Sequence, residues 1–308
     1  MSELVGFVGM SHSPFATMAP PASPDAPGAA FMAATRRVAK AVAELAPDIA
    51  VVIGVDHFHA NFYDVMPPFV LGVEQASGFG DFGTTPGQLP VAGELAWTVR
   101  DGLTAAGFDI ALSYALTVDH GFVQSYEMAG AGGLPMVPLM VNTAAPPLPG
   151  LGRCVALGRA LGDVLRAAPG RQRVLVIGSG GLSHWLPSND PRRLDGDRRT
   201  SVIHGRADVR AVAAVREPRV RAMAGNPAAR VADVWDSWFL DRLTAGDVDG
   251  VAAIGDAQLE RDAGSGGNEV RTWLVGQAAV ARPLVWTAYE PVPEWITGMG
   301  VGCTFGVA

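Results

Sequence analysis

Along the first half of the chain, short apolar runs alternate with longer stretches in which apolar residues recur every three or four positions. Residues 4–10 (LVGFVGM) and 49–55 (IAVVIGV) read as strands. The second contains no polar position, as a strand covered on both faces requires. Residues 67–73, 109–118, 135–141 and 173–179 are further strand candidates. Helices are expected over 28–46, over 90–106 between a proline and Gly107, and over 151–168. From about 205 to 282 the pattern is mainly helical, with Trp235, Trp238 and Phe239 assigned to a core, and a β-rich tail follows at 284–290 and 301–307. There is no internal repeat, low-complexity tract or long linker. Strands alternating with helices predict a single α/β domain over 1–308, built on a central, largely parallel or mixed sheet flanked by helices.

Composition narrows the function classes. With 49% hydrophobic and 17% charged residues, a chain of 308 residues can bury a large core, which excludes disorder. Its formal charge of −7 argues against a nucleic-acid or membrane-surface partner. Two cysteines, Cys154 and Cys303, make neither a disulfide framework nor a thiolate zinc site. The start, MSELVGFVGMSHSPF, lacks the features of a signal peptide, and no apolar run approaches the roughly 18 residues of a membrane helix. A cytoplasmic location is therefore expected. Lys40 is the only lysine and reads as helix surface.

The six histidines carry the candidate chemistry. His12, His57, His120 and His184 each stand just past the end of a predicted strand. In open α/β sheets, ligands bind beyond the strand C-termini, so parallel strands would bring these four imidazoles to one pocket at that edge. Imidazole binds Zn, Fe, Cu or Ni and moves protons near neutral pH, so four of them divide naturally into metal ligands and proton carriers. Two histidines with one carboxylate would form a facial triad that leaves adjacent positions open on Fe(II). Asp56, Asp64, Asp119, Glu127 and Glu269 are all chemically eligible as the carboxylate.

The segment DHFHANFYDVMPPFVLGVE (56–74) adds a family resemblance. Together with SHSP (11–14), GDFG (80–83), VDHGF (118–122), PLPG (147–150), GSGGLSH (178–184), EVRTW (269–273) and PEWITGMG (293–300), it makes the chain resemble the class III extradiol ring-cleavage dioxygenases. Within them it is most similar to those acting on 3-(2,3-dihydroxyphenyl)propionate, over most of its length and more weakly between about 186 and 232. The resemblance implies iron ligands at His12, His57 and Glu269 and an acid–base pair at His120 and His184. Two departures stand nearby: Asn268 where relatives tend to have histidine, and His59 where they tend to have asparagine. His59 and Asp119 are carried as candidate substrate contacts, and His204 as a solvated bystander.

The implied reaction is cleavage of a substituted catechol by O2 at Fe(II), with 3-(2,3-dihydroxyphenyl)propionate or 2,3-dihydroxycinnamate as the expected substrate and a homo-oligomer as the expected assembly. One group must help deprotonate the catechol and another must return a proton, and histidine suits both roles. A zinc hydrolase using two histidines, a glutamate and a bound water is the enzymatic alternative. A non-catalytic binding protein on the same fold is the other. The glycines of GSGGLSH are expected to let backbone approach the pocket, since no phosphate-loop lysine follows. The prolines of FYDVMPPF fix an extended path, Phe69 is assigned to the core, and RRLDGDRRT (192–200) to a solvated loop.

Overall fold

In the computed structural model, which describes residues 1–226 and 229–308, the chain forms one nine-stranded mixed sheet with helices on both faces. The strands are β1 (Glu3–Met10), β2 (Ile49–Gly54), β3 (Phe69–Gly78), β4 (Gly87–Leu89), β5 (Ala111–Val118), β6 (Met136–Val141), β7 (Arg173–Ser179), β8 (Trp286–Val292) and β9 (Thr297–Cys303). The helices are α1 (Pro14–Met18), α2 (Ala29–Leu45), α3 (Gly93–Ala105), α4 (His120–Met128), α5 (Leu151–Ala167), α6 (Gly196–His204), α7 (Val209–Arg221), α8 (Asp233–Thr244), α9 (Val248–Ala252), α10 (Asp256–Ala263) and α11 (Arg271–Val280).

The sheet order is β4-β3-β6-β2-β7-β1-β9-β8, with β5 pairing with β3. Strands β6, β2, β7 and β1 run parallel at its centre, and β9 and β8 close one side antiparallel. The apolar run of β2 explains its place. Ile49, Val51 and Ile53 pack with α5 and α11 on one face, while Ala50 and Val52 pack with α2 and α4 on the other. Each such Val, Ile or Leu side chain contributes about 1.5–3 kcal/mol when fully buried, so β2 has no alternative register. Phe69 and Phe239 are core residues as expected, while Trp235 and Trp238 pack partly buried against that core.

Three expectations are corrected. Strand β5 runs parallel to β3, and β3 runs antiparallel to β6, so β5 opposes the central four strands. His120 is therefore not delivered by a parallel strand end. It is the first residue of α4, whose N-cap is Asp119, a short helix that the sequence pattern did not announce. The segment 192–200, read as a loop, enters a helix at Gly196, exposed as expected but helical because its charges all find solvent-facing positions. Among the described residues, no helix is long and apolar enough to cross a membrane.

Candidate active site

The C-terminal ends of β1, β2 and β7 lie side by side, and the turns beyond them carry His12, His57 and His184. His120 joins them from α4: its ring stacks on His57 at 4.3 Å between centroids and meets His12 edge-on at 5.4 Å. Glu269 enters from a tight 3-10 turn, Gly266–Val270, which leads into α11. Two glycines make room for these side chains. A Cβ on Gly180 would lie 2.5 Å from the Glu269 carbonyl oxygen, and one on Gly266 would lie 2.0 Å from His184 Nε2.

Each of the four imidazoles has its Nδ1 tied to the protein. His12 bonds Ser179 Oγ at 3.1 Å, His57 bonds Asp119 Oδ2 at 3.2 Å, His120 bonds Asp81 Oδ2 at 2.5 Å and His184 bonds the Leu182 carbonyl at 3.1 Å. Ser179 in turn donates to Ser125, whose hydroxyl donates to the Met10 carbonyl, so Ser179 is left to accept from His12. Such partners fix ring orientation and tautomer, and turn Nε2 toward the site. The Glu269 carboxylate lies among these nitrogens, 3.5 Å from His12 Nε2, 3.4 Å from His57 Nε2 and 3.8 Å from His184 Nε2.

The electrostatics follow from burial and pairing. Burial pushes His12 down to about 3, with Glu269 opposing, so its imidazole is neutral and its lone pair available. Burial would also lower His57, but the charge of Asp119, a hydrogen bond with it and Glu269 together raise His57 well above 6.5. Glu269 has the mirror-image balance: burial would raise it, while His12, His57 and His184 hold it below the usual carboxylate range. Asp119 is likewise pulled well down, against its burial, by His57 and His59.

This donor set fits a metal ion. Two ligand atoms about 2.1 Å from a metal and at right angles are about 3.0 Å apart, and about 3.4 Å apart at a tetrahedral angle. Glu269 Oε2 lies 3.5 Å from His12 Nε2 and Oε1 lies 3.4 Å from His57 Nε2, so one cation between them would draw on both carboxylate oxygens and would require His57 to give up its proton. One ring nitrogen from each of His12, His57 and His120 also lies within 4.8 Å of the other two, so His120 reaches the same small volume. Of the remaining carboxylate candidates, Asp119 stands behind the imidazoles on the Nδ1 of His57 and His59, and the other three do not meet the four imidazoles' Nε2 atoms. Asp64 pairs with Arg206 at the surface, Glu127 accepts from Thr85, and Asp56 accepts backbone N–H groups from His59, Ala60 and Asn61.

A cavity of about 1010 Å³ opens over these residues, walled by His12, His57, His59, His120, His184 and Glu269 on one side and by α6 and α7 on the other. His59 lines it with its Nδ1 on Asp119 at 2.9 Å and its ring 4.3 Å from Phe79. Asp119, expected to touch the substrate, has no exposed surface and is not among the cavity-lining side chains. It lies behind the histidines instead, capping α4 and accepting from the His57 and Gly121 amides. Asn268 is buried and accepts from Arg271 at 2.6 Å, which holds the turn that carries Glu269. His204 is exposed, as expected.

Several site residues went unread in the sequence. Asp81 of the GDFG segment backs His120, and the only available signal was an acidic residue inside a short glycine-flanked motif. Asp236 accepts from the Ser183 amide, the Ser183 hydroxyl and the Tyr289 hydroxyl, which fixes the turn preceding His184. Burial raises Asp236 to about 6 despite those bonds.

Comparison with known proteins agrees with this geometry. The family described as the catalytic LigB subunit of aromatic ring-opening dioxygenase matches residues 6–300. The chain belongs to that family. A Klebsiella pneumoniae protein named 2,3-dihydroxyphenylpropionate/2,3-dihydroxicinnamic acid 1,2-dioxygenase is 36% identical over 275 residues, covering 84% of this chain and 86% of that one. An Escherichia coli protein of the same name is 34% identical over 308 residues, covering 94% of this chain and 95% of its own. This LigB-family chain is thus an extradiol ring-cleaving dioxygenase, and its matched span includes all four pocket histidines and Glu269.

Proposed function

We propose that the chain holds Fe(II) on His12, His57 and Glu269 and opens the ring of a catechol carrying a short carboxylate side chain, 3-(2,3-dihydroxyphenyl)propionate or 2,3-dihydroxycinnamate. The observation that carries this reading is the Glu269 carboxylate held 3.5 and 3.4 Å from two histidine Nε2 atoms, with the His120 ring stacked beside them. Bound there, Fe(II) would supply adjacent open positions for the two catechol oxygens and O2 and a path for electrons between them.

The protein's own groups supply position and protons. The Asp81 carboxylate behind His120 Nδ1 stabilises the imidazolium that forms when Nε2 takes a proton, so His120 is assigned to deprotonate the catechol. His184 is backed by a neutral carbonyl and lies 3.8 Å from Glu269, and it is assigned to return a proton as the ring opens. His59 walls the pocket beside His57, while Asp119 orients both rings. The relatives' substrate names support the choice of catechol.

The test is anaerobic purification, reconstitution with Fe(II), and O2 uptake against a panel of catechols with mass analysis of the products. Stoichiometric O2 consumption with a ring-opened product is expected. No uptake with any catechol despite bound iron overturns the proposal, and activity with zinc but not iron assigns the site to hydrolysis.

A further inference from the structure

Six arginines line the cavity: Arg192, Arg193, Arg198, Arg216, Arg219 and Arg261. Most are committed at the surface. Arg192 grips Asp190 at 2.8 Å, with Arg193 at 4.0 Å from the same carboxylate, Arg261 bonds Asp262 and Arg198 bonds the Ser188 carbonyl. Arg219 is exposed. Arg216, on α7, differs from all of these. It is half-buried, its guanidinium lies 5.3 Å from the centre of the Phe58 ring, and it donates to the backbone carbonyl of His57. Among the described residues no carboxylate pairs with it. The acidic groups that face it are otherwise engaged: Asp56 by three backbone amides, Asp119 by His57 and His59, and Asp81 by His120.

A guanidinium has five N–H donors and stays charged, so a half-buried one with a single protein acceptor is short of partners. Arg271, which is fully buried, shows the satisfied alternative: it bonds the Pro149 carbonyl, the Asn268 carbonyl and side chain, and Asp256. Arg216 has no such set, and its free donors border the cavity. Its anchor places it against the backbone of His57, one side chain away from the imidazole of that residue.

We propose that Arg216 is the specificity-determining residue of the pocket, pairing its guanidinium with the carboxylate of an alkanoate substituent on the ring. The fork suits a planar carboxylate. Arg216 borders the cavity against the His57 backbone, so the carboxylate it would hold belongs to a substrate bound beside the His57 ring. This inference rests on the ring-cleavage reading, and its test separates the two.

In the iron-loaded enzyme, kcat/KM is compared for 3-(2,3-dihydroxyphenyl)propionate and for neutral 3-propylcatechol. Arg216→Gln is expected to lower the preference for the acid by about 10–100-fold, the size of a hydrogen-bonded charge contact, mainly through KM. Arg216→Lys should restore part of it, since the charge returns without the fork. Arg219→Gln, on the same helix, controls for general positive potential. In the metal-free protein, calorimetry should show binding of 3-phenylpropionate, which has no hydroxyls, that weakens by a similar factor in Arg216→Gln. Equal losses on acid and neutral catechols, an unchanged preference, or the same loss in Arg219→Gln overturns the assignment. If the wild type opens neither ring yet binds 3-phenylpropionate through Arg216, the ring-cleavage reading fails while the anion site stands.

Discussion

The two walls of the cavity are built on different terms. The floor rises from the centre of the sheet, where β2 is buried at every position and β1 and β7 at all but the first. His12, His57 and His184, which leave its strand ends, each have Nδ1 tied down. The opposite wall, α6 and α7, buries almost nothing: Val202 is the one buried residue of α6 and Ala213 the one of α7. That wall is attached through a small cluster around Phe58, Phe62 and Val202, through the Tyr63 and Asp64 amides to α6 carbonyls, and through Arg206 to Asp64 and Arg216 to the His57 carbonyl. Reaction geometry that fails by an ångström is served by the first construction. Choice among substrates tolerates the second, and Arg216 belongs to it.

The largest effect should come from the floor. Glu269→Gln removes the one anionic group of the proposed ligand set and is expected to weaken iron retention by about 100-fold, measured by metal content and chelator competition. His120→Ala or His184→Ala should keep iron yet slow turnover by about 10²–10⁴-fold. If either histidine variant loses its iron while Glu269→Gln retains it, the division between ligands and proton carriers is wrong. Asp81→Asn should cost about 10–100-fold in turnover with iron retained, because His120 loses the carboxylate that orients it.

The metal-free floor also makes a pH prediction. His57 lies well above 6.5 there because Asp119 and Glu269 outweigh its burial. Metal uptake must displace that proton, so apparent affinity should rise about tenfold per pH unit from neutrality up to the raised value. Calorimetry in buffers of different ionisation enthalpy should show about one proton released at pH 7. The same contacts favour imidazolium, so they stabilise the metal-free fold fully below 6.5, and this contribution is lost as pH climbs through the raised value.

The smallest effect separates the walls directly. Val52→Ala in the floor should lower global stability by about 1–2 kcal/mol by leaving a cavity in the core. Val202→Ala should leave the global midpoint nearly unchanged and instead speed hydrogen exchange across 196–221, because so little holds that segment. Equal effects of the two would mean that both walls fold as one unit.

What could be read from the sequence divides along the same line. The central strands were legible because burial on both faces writes an unbroken apolar run, as in 49–54 and 136–141. Strand direction leaves no such trace, so the reversal of β5 was invisible and His120 was assigned to the right pocket through a wrong premise. Helix α4 was missed because a nine-residue helix wedged between sheet and pocket buries Gln124 and Ser125 as fully as Phe122, which erases amphipathic spacing. Asp81 lies 39 residues from the histidine it serves, and no local pattern links them. Arg216 was one of 22 arginines, and only the cavity and the absence of a paired carboxylate distinguish it.

The position of β1 has a consequence for how the enzyme comes into being. This strand leads into the turn that carries His12 and precedes the other eight strands in the chain, yet its two neighbours are β7, near residue 173, and β9, near residue 297. It therefore waits for its parallel partner until more than half of the 308 residues have emerged and for its antiparallel partner until nearly all have, and Glu269 arrives between the two. Such long sequence separations slow folding and leave an apolar strand exposed meanwhile. A ribosome-bound chain stalled before residue 269 would hold its histidines without the carboxylate that lies among them in the folded protein.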